Sequence, residues 1–297
     1  MPWLQIKMDI KPDTSEQFED ILLAAGCAVV TFEDGADQPI FEPDLGTTPL
    51  WQHTTITGLF AAEHDISETE AFIKQAHQQL FDNTPFPPFK AEILEDKDWE
   101  REWMANYHPM RFGQRLWICP SWRDVPDPNA VNLMLDPGLA FGTGTHPTTA
   151  LCLEWLDGQA LTDCTVTDYG CGSGILGIAA LLLGAKHVIA VDIDPQALQA
   201  TRDNQQRNQL PNSKMDVYLP ENAPQEESDL LVANILAGPL VALAPQLAGR
   251  IRSGGRLALS GLLTQQADEI IEAYSPWFDL DPVAEKEEWI RVTGIKK

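Results

Sequence analysis

The sequence has few cysteines, and none of them are paired at a metal-binding or redox spacing. Its 297 residues include five cysteines, an odd number with no Cys-x-x-Cys pair: Cys27, Cys119, Cys152, Cys164 and Cys171. This usage argues against a disulfide framework and indicates free thiols in a reducing compartment. Histidines are also scattered, since His108, His146 and His187 show no paired spacing with cysteines or acids. We therefore expect no metal site.

Long apolar runs are absent as well. No segment approaches the roughly 18 consecutive apolar residues that a membrane-spanning helix needs. The first seven residues, MPWLQIK, also lack the apolar core of a signal peptide. We therefore expect a soluble, cytoplasmic protein without a membrane partner, and we expect a monomer.

Positive charge is scarce. The chain has 20 Lys or Arg against 44 Asp or Glu, which gives a formal net charge of −24. Binding to a nucleic-acid backbone needs Lys and Arg, so a direct nucleic-acid partner is not expected. Residues 1–100 alone hold twenty acids and five bases, a net charge of −15. This concentration favours a basic macromolecular partner, although a charged surface that maintains solubility explains part of it.

The apolar content is sufficient for two domains of ordinary size, because 44% of the residues are hydrophobic. In residues 1–95, the apolar pattern predicts the order β-α-β-β-α-β, which is typical of a ferredoxin-like α+β domain. The predicted strands cover 3–10, 28–32, 54–61 and 89–94, and the predicted helices cover 15–25 and 67–81. A capping box, Ser67 to Glu70, is predicted to open the second helix.

Residues 96–135 look like a connector between two domains. They combine a predicted helical turn over 98–103 with a predicted strand that ends near Pro120. The four tryptophans of this region favour packing between domains over a ligand cage: Trp99, Trp103, Trp117 and Trp122. We expect a hinge near residues 95–110.

A glycine-rich turn organises the remaining residues, 136–297. The segment Thr165-Val-Thr-Asp-Tyr-Gly-Cys-Gly-Ser-Gly-Ile-Leu176 predicts a strand, a tight turn and a helix. Gly170 and Gly172 would let a ligand approach the backbone at a helix start, where N–H groups are free. Because the third glycine is Gly174 and position 175 is Ile, the spacing differs from that of dinucleotide sites. The turn resembles the first motif of the Rossmann-like methyltransferases, whose ligand is S-adenosylmethionine, and a turn that binds nothing remains the simpler alternative.

Three more residues are predicted to lie near this turn. Asp192 follows the next predicted strand, at the distance from Gly170 at which an acid accepts hydrogen bonds from a ribose diol. Thr149, or its neighbour Thr148, is a candidate cap of a helix over 150–156 that follows a predicted glycine-rich loop over 135–149. The free N–H groups at the start of that helix suit a carboxylate. Asn234 ends a fourth strand and is predicted to lie near the reacting centre. Each residue also has a simpler interpretation, as a loop acid, an ordinary cap and a turn former.

Beyond the glycine turn, Asp194 followed by Pro195 is predicted to cap a helix over 196–208. Gly254 and Gly255 are predicted to turn the chain into a strand over 256–260, which a helix over 263–273 follows. The C-terminal residues predict two strands, over 280–286 and 289–294, whose tight connection requires them to be antiparallel. A parallel sheet closed by such a hairpin is the methyltransferase variant of the doubly wound fold. The predicted fold class is therefore α/β: a Rossmann-like doubly wound domain over 136–297 with an antiparallel C-terminal hairpin, preceded by the small ferredoxin-like α+β domain.

Four segments, occurring together and in order, resemble the PrmA family of class I S-adenosylmethionine-dependent methyltransferases, which act on ribosomal protein L-eleven (L11). They are Phe141–Thr149, Asp168–Gly174, Asp192–Pro195 and Asn234–Ala237. The resemblance implies an N-terminal domain that recognises this basic protein of the large ribosomal subunit and a C-terminal domain that binds S-adenosylmethionine. It also implies cofactor contacts at Thr149, Gly170, Asp192 and Asn234.

The residues after Asn234 bear on the substrate. Methyltransferases of planar nitrogens commonly show Asn-Pro-Pro-Tyr here, whereas this chain has Ile235, Leu236 and Ala237. We therefore expect an aliphatic amine, a lysine side chain, with the N-terminal α-amine left open. Asn234 is the candidate catalytic residue, since its side-chain oxygen is able to orient the amine, and His146 is a weaker candidate as a base. A nucleoside-binding, protein-docking module without catalysis stays open, as does an NAD-linked oxidoreductase, which Ile175 disfavours.

Overall fold

The structure is a computed structural model that describes residues 2–38, 40, 43, 46–81, 84–94, 104, 107–136 and 144–297. The chain divides into two compact units, Met1–Met104 and Ala105–Lys297. Within the described residues, no helix is both long enough and apolar enough to cross a membrane. The predicted helical turn over 98–103, with Trp99 and Trp103, and most of the predicted hinge lie outside the described residues.

The small unit contains a four-stranded antiparallel sheet and two α-helices. The strands are β1 (Trp3–Ile10), β2 (Val29–Asp34), β3 (Thr54–Ala61) and β4 (Phe89–Leu94), and the helices are α1 (Ser15–Ala24) and α2 (Ile66–Leu80). A 3-10 turn, Pro12–Thr14, precedes α1. The strands lie in the order β2-β3-β1-β4, and every neighbouring pair is antiparallel.

Alternation along β1 builds the core of the small unit. Successive side chains of a strand point to opposite faces. Leu4, Ile6 and Met8 are therefore buried together, and they join an apolar cluster that includes Phe18 of α1 and Ile73 of α2. Both helices thus cover the same face of the sheet.

The start of α2 differs from the predicted capping box. The helix begins at Ile66, and the carboxylate of Asp65 accepts hydrogen bonds from the backbone N–H groups of Ser67 (2.8 Å) and Glu68 (3.0 Å). A carboxylate at this position caps two free donors and interacts favourably with the positive end of the helix dipole. It therefore replaces Ser67 as the cap.

The large unit begins with a small sheet that lies within the predicted connector. Its strands are β5 (Met110–Phe112), β6 (Leu116–Cys119) and β7 (Val131–Met134). Strands β5 and β6 pair antiparallel, and β6 and β7 pair parallel. Residues 107–135 therefore belong to the large unit, whereas the sequence interpretation treated them as a link between the two.

Asp157 holds the β5–β6 turn in place. It ends helix α3 (Pro147–Asp157) and is buried. Its Oδ2 accepts the backbone N–H of Gln114 at 2.6 Å, and its Oδ1 accepts Nε of Arg115 at 3.2 Å. Gly113 has φ +66°, and a Cβ there would lie 2.4 Å from the carboxylate, so the contact needs glycine. The sequence contains no local signal for this contact, because its partners are far apart along the chain.

The main sheet of the large unit has eight strands. The strands are β8 (Thr165–Tyr169), β9 (His187–Val191), β10 (Met215–Tyr218), β11 (Ser228–Asn234), β12 (Ile251–Leu263), β13 (Phe278–Leu280), β14 (Ala284–Lys286) and β15 (Trp289–Lys296). Their order is β10-β9-β8-β11-β12-β15-β13, and β14 also pairs with β15. The pairs from β10 to β12 are parallel, and β15 is antiparallel to β12, β13 and β14.

Helices cover both faces of this sheet. Besides α3, they are α4 (Ile175–Leu182), α5 (Pro195–Arg207), α6 (Ala237–Gly249) and α7 (Ala267–Tyr274). Along β11, Leu230 and Val232 belong to the apolar cluster that contains residues of α3 and α4, whereas Leu231 and Ala233 belong to the cluster of α6 and α7. The sheet is therefore the middle layer of three.

Three C-terminal predictions require correction. Gly254 and Gly255 are not a turn before a strand: β12 runs through them with an irregularity in its pairing to β11, and Gly254 has φ +75°. Such an irregularity lets the strand continue while it absorbs extra residues. The predicted single strand over 280–286 is two short strands, β13 and β14, both paired with β15. The helix predicted over 263–273 begins at Ala267, because β12 continues to Leu263.

Candidate functional site

The main sheet reverses its direction of growth between β8 and β11. The chain adds β9 and β10 on one side of β8, and then β11 and β12 on the other side. Such a switch point leaves a crevice at the carboxyl ends of the strands, where ligands of doubly wound sheets bind. A cavity of about 530 Å³ lies at these strand ends. All five predicted site residues line it: Thr149, Gly170, Gly172, Asp192 and Asn234.

The glycine turn follows β8 directly. Gly170, Gly172 and Gly174 have φ values of +76°, +54° and +77°, a region that side-chain-bearing residues rarely adopt. A Cβ at Gly170 would lie 2.1 Å from Cγ2 of Ile235. The N–H of Gly170 donates to the carbonyl of Val191 at 2.7 Å, which ties the turn to the end of β9. Both the backbone angle and the close approach explain why glycine is needed.

Asp192 lies at the cavity with its carboxylate already oriented. Its Oδ2 accepts the N–H of Gly172 at 2.9 Å, and its Oδ1 accepts the N–H of Asp194 at 3.0 Å. The side chain is half-buried. Each carboxylate oxygen accepts more than one hydrogen bond, so both remain able to accept from a pair of hydroxyl groups. Asp194 itself caps α5 through the N–H of Gln196, with Pro195 in the first turn, as the sequence predicts.

Asn234 and Thr149 meet across the switch point. Nδ2 of Asn234 donates to Oγ1 of Thr149 at 3.2 Å. Oδ1 of Asn234 is buried and has no hydrogen-bond partner among the described residues. An orphaned buried acceptor costs stability unless a ligand or water supplies a donor. The site therefore presents one unsatisfied acceptor next to the glycine turn.

Helix α3 starts differently from the sequence interpretation, which placed the cap at Thr148 or Thr149. The helix begins at Pro147, and His146 is its cap. Nδ1 of His146 lies 2.8 Å from Oγ1 of Thr148, and its ring packs edge-on against Trp289, with the ring centres 4.6 Å apart. Burial lowers the pKa of His146, while Glu287 and Glu288 act in the opposite direction. These contacts give His146 a structural role and weaken its candidacy as a base.

Asp168, which ends the apolar part of β8, is the most perturbed carboxyl group near the site. It is completely buried, and its Oδ2 accepts the N–H of Gly177 at 2.8 Å. The pKa of Asp168 is raised to about 7, mainly by burial. The charge of Asp192 also raises the pKa, whereas the hydrogen bond from the N–H of Gly177 lowers it. It does not line the cavity, so its role is to hold the start of α4 beside the glycine turn.

The sequence interpretation missed several residues that line the cavity. They come from the strand ends and from α6: Tyr169, Ile193, Pro220, Pro239, Leu243 and Gln246. Ile193 is 80% exposed although it is apolar, which suits a residue that awaits a ligand. For Ile193, the only available signal in the sequence was that an apolar residue directly follows the predicted acid, Asp192. Phe141 to Thr143, which belong to the predicted glycine-rich loop, lie outside the described residues.

Two other kinds of site find less support. Among the described residues, no group of three or more His, Cys, Asp or Glu side chains is arranged to hold a metal ion. The small unit has a larger cavity, of about 770 Å³, which is lined by residues around Asp9, near the end of β1, and His53, just before β3. None of its lining residues has a buried polar side-chain atom without a partner. The chemistry is therefore assigned to the cavity in the large unit.

A doubly wound parallel sheet in which an antiparallel strand, β15, sits between β12 and β13 is the arrangement of the Rossmann-like methyltransferases. Comparison with known proteins identifies the family within this class of methyltransferases. Residues 2–297 match the model of the family described as Ribosomal protein L11 methyltransferase (PrmA). The chain belongs to this family.

Relatives with the same description match over their whole length. The chain is 59% identical to the ribosomal protein L11 methyltransferase of Pseudomonas fluorescens (strain Pf0-1) and 60% identical to that of Ectopseudomonas mendocina (strain ymp), over 100% of each chain. The crystal structure of a ribosomal protein L11 methylase from Lactobacillus delbrueckii subsp. bulgaricus matches with 34% identity and a TM-score of 0.58. That match covers 64% of this chain and 100% of the other.

The cavity fits the methyl donor of such an enzyme, S-adenosylmethionine. A Cβ at Gly170 would fill the turn, Asp192 offers two acceptors to a sugar diol, and Asn234 has an acceptor with no partner in the protein. The remaining walls are mostly apolar, as expected for a nucleoside site. The donor groups present therefore suit a nucleoside rather than a metal ion.

Proposed function

We propose that the chain transfers methyl groups from S-adenosylmethionine to amino groups of ribosomal protein L11. The acceptors in this proposal are lysine side chains, with the N-terminal α-amine as the alternative. The observation that carries the proposal is the buried, unpartnered Oδ1 of Asn234, which lies in the same cavity as the glycine turn and Asp192. An acceptor that lacks a donor in the protein suits the N–H of a substrate amine.

We assign the binding of the cofactor to residues around the turn. Gly170 and Gly172 provide the backbone over which the cofactor lies, and Asp192 accepts hydrogen bonds from its ribose. Thr149 lines the cavity within the first turn of α3, close to N–H groups that suit a carboxylate. Asn234 contributes both to the cofactor site and to the site of the amine that receives the methyl group.

The bound cofactor supplies the electrophile, a methyl group on a sulfonium, so the protein acts through orientation and electrostatics. A lysine amine has a pKa of about 10.4, so only about one in a thousand is neutral near pH 7.4. Burial in the apolar cavity lowers the pKa of the amine, because it disfavours the charged form. Oδ1 of Asn234 then accepts an N–H of the amine and directs its lone pair toward the cofactor.

The segment after Asn234 supports an aliphatic amine as the substrate. Ile235 and Leu236 line the cavity and have no planar group with which to clamp a flat amide or base. Leu236 is 53% exposed, so it is available to contact the methylene chain of a lysine. A flexible amine needs little more than an apolar passage and one acceptor.

We assign the recognition of L11 to the small unit, as a ferredoxin-like domain over residues 1–95. The observed order β2-β3-β1-β4, with both helices on one face, supports that fold. The net charge of −15 in residues 1–100 supports a basic protein as the partner. In this scheme the large unit carries the methyltransferase chemistry and is closed by the antiparallel β14–β15 hairpin, and the enzyme acts as a cytoplasmic monomer.

Transfer of a radiolabelled methyl group to L11 tests this function. The full chain is incubated with labelled S-adenosylmethionine and L11, and the label is expected on the protein substrate. Asn234→Ala is expected to lower turnover by about tenfold or more, because the acceptor that we assign to the amine is lost. Asn212→Ala, at an exposed position, is the matched control. Binding of the nucleoside without any transfer to L11 would instead favour a docking module without catalysis.

A further inference from the structure

Arg250, which directly follows α6, carries a positive charge into the interior of the large unit. The residue is only 2% exposed. Its Nη1 donates to the carbonyl of Pro224 at 2.6 Å, whereas Nε and Nη2 are buried and have no hydrogen-bond partner among the described residues. The guanidinium lies 6.0 Å from the centre of the Tyr169 ring, in a cation–π contact. A neutral carbonyl and an aromatic ring therefore hold this cation.

Such a burial is costly for the stability of the fold. Removing a charged group from water and leaving two of its N–H groups unpaired both disfavour the folded state. An apolar side chain of similar length, such as methionine, would fill the same space without this cost. Stability alone therefore does not explain an arginine at position 250, and its contacts indicate another role.

The carbonyl that Arg250 binds belongs to the connection between β10 and β11, residues 219–227, which we call the β10–β11 segment. The connections β8–β9, β9–β10 and β11–β12 each carry an α-helix, whereas this segment carries only a 3-10 turn, Pro220–Asn222. Among the described residues, the hydrogen bond from Arg250 is the only one made by residues 223–227. Ala223 is also buried in the apolar cluster of α6. The segment is therefore anchored by one hydrogen bond and one small apolar side chain.

The contacts of Arg250 lead to elements that line the cavity at the strand ends. Pro220, near the start of the β10–β11 segment, lines the cavity, and so does Tyr169, at the end of β8. Leu243, two turns before Arg250 on α6, lines it as well. Arg250 itself is not among the lining residues. It therefore links three elements of the cavity wall from behind.

We propose that Arg250 is a positioning residue that holds the β10–β11 segment in place as a wall of the cavity and thereby raises the affinity for the cofactor. The proposal rests on the proposed function, because the occupant of the cavity is the cofactor assigned there. When the anchor is lost, the segment keeps the binding arrangement for only a fraction of the time, and the apparent affinity falls by that fraction. The methyl-transfer step is unaffected once the cofactor is bound, since Arg250 acts only through Pro224 and Tyr169.

Arg250→Met in the full chain tests the proposal. Methyl transfer to L11 is measured over a range of S-adenosylmethionine concentrations, and the binding of S-adenosylhomocysteine is measured by isothermal titration. We expect KM for S-adenosylmethionine and Kd for S-adenosylhomocysteine to rise by about tenfold, the effect of losing one hydrogen bond from a charged donor. We expect kcat to stay within about twofold of the unmodified chain, because only binding is impaired. The thermal midpoint without ligand is expected to be equal or higher, since a buried charge is removed.

Arg202→Met is the matched control. Arg202 on α5 is exposed, and its Nη2 also donates to a backbone carbonyl, that of Val217 in β10, at 3.2 Å. Neither Arg202 nor Val217 lines the cavity. The control therefore removes the same kind of bond away from the cavity wall, and it is expected to leave KM, Kd and kcat within about twofold of the unmodified chain.

The possible results separate this proposal from the proposed function. If KM and Kd of Arg250→Met stay within about twofold of the unmodified chain, the role of Arg250 is overturned while the methyltransferase stands. A lower kcat together with a lower thermal midpoint, at unchanged KM, also overturns it, because a purely structural residue gives that result. If the unmodified chain binds S-adenosylhomocysteine but does not methylate L11, the proposed function fails, and the titration still decides the role of Arg250.

Arg250→Lys keeps the proposal testable if Arg250→Met does not fold. Lysine retains a donor for the carbonyl of Pro224 but lacks the planar guanidinium that lies beside the Tyr169 ring. Its Kd for S-adenosylhomocysteine is expected to rise by a smaller factor, about threefold. An unchanged Kd in this variant would overturn the proposal.

Discussion

Asn234 donates its side-chain N–H to Oγ1 of Thr149, at 3.2 Å, and this bond occupies the donor end of the amide. The NH₂ group and the oxygen of an asparagine amide are nearly equal in size, but the first donates hydrogen bonds and the second accepts them. The orientation of the amide therefore decides which kind of partner each end is able to bind. With Nδ2 held by Thr149, the buried Oδ1 is the end that remains unpartnered. The site therefore offers an acceptor, which suits an amine with N–H groups to donate.

Removing the hydroxyl of Thr149 is expected to impair catalysis. Thr149→Val keeps the shape but leaves Nδ2 of Asn234 without an acceptor, so the amide is free to rotate. We expect kcat/KM for L11 to fall by about tenfold to a hundredfold, in line with the cost of an unpaired buried polar group. Thr149→Ser restores the hydroxyl and is expected to recover most of the activity. Equal activity in the Val and Ser variants would contradict the role of the hydrogen bond.

A methyl group at Gly170 is expected to disrupt the glycine turn. Gly170→Ala introduces a Cβ 2.1 Å from Cγ2 of Ile235 at a φ of +76°, so both sterics and backbone strain oppose it. We expect the unfolding free energy to fall by more than about 1 kcal/mol and the affinity for S-adenosylhomocysteine to weaken. Chemical denaturation and calorimetric titration measure the two effects.

Gly249 provides a matched control for this substitution. It is the last residue of α6, and a Cβ there would have no neighbour within 4 Å. Gly249→Ala is expected to be neutral or to stabilise the protein by up to about 1 kcal/mol, as alanine does in helices. A loss of stability comparable to that of Gly170→Ala would show that the turn is not the sensitive position.

The small unit is expected to lose stability in mild acid through His77. This residue is 4% exposed and packs among three aromatic rings, with centre distances of 5.6 Å to Phe18, 4.9 Å to Phe81 and 5.3 Å to Phe86. Burial lowers the pKa of His77 below its ordinary value of 6.5. The unfolded chain therefore binds the proton more readily, so the stability that is present above pH 6.5 is lost as the pH falls through the lower, folded-state pKa.

Denaturation at a series of pH values between 7.5 and 5 checks this effect. The unfolding free energy of the unmodified chain is expected to fall as the pH is lowered, and His77→Phe is expected to reduce that slope. His53→Gln, a histidine substitution at an exposed position, is the matched control and is expected to leave the slope unchanged. If His77→Phe has the same slope as the unmodified chain, the acid sensitivity comes from other groups.

Asp157 is expected to be the main anchor of the β5–β6 turn. Asp157→Ala leaves the N–H of Gln114 and the side chain of Arg115 without their acceptor. We expect the unfolding free energy to fall by about 1–3 kcal/mol, the cost of unpaired polar groups in a buried contact. Asp279→Ala, whose carboxylate is exposed, is expected to stay within about 0.5 kcal/mol of the unmodified chain. Thermal or chemical unfolding measures both.

The residues predicted from the sequence were those whose roles are set locally. Glycines at positive φ, an acid at a strand end and the cap of α5 by Asp194 each depend on a few neighbouring residues, so a short window of sequence reveals them. The same locality explains the order of elements in the small unit, which follows from apolar periodicity. All five predicted site residues line one cavity, and their contact with the cofactor stays a prediction.

Where the sequence interpretation was wrong, a distant contact decided the outcome. His146 caps α3 because its ring packs on Trp289, which belongs to the far end of the chain. Gly254 and Gly255 lie inside a strand because β12 has β11 and β15 on its two sides. Residues 107–135 belong to the large unit because Asp157 binds the turn between β5 and β6.

The sequence by itself therefore determined the class of fold, the glycine turn and the position of Asp192 after a strand end, since these depend on backbone angles and on periodic burial. Only the tertiary structure decided that the amide of Asn234 meets the hydroxyl of Thr149 and that Asp157 holds the turn between β5 and β6. Hydrogen bonds between residues far apart in the chain require atoms to meet within about 3 Å, and that distance is set by the packing of the sheet and its helices rather than by any local pattern.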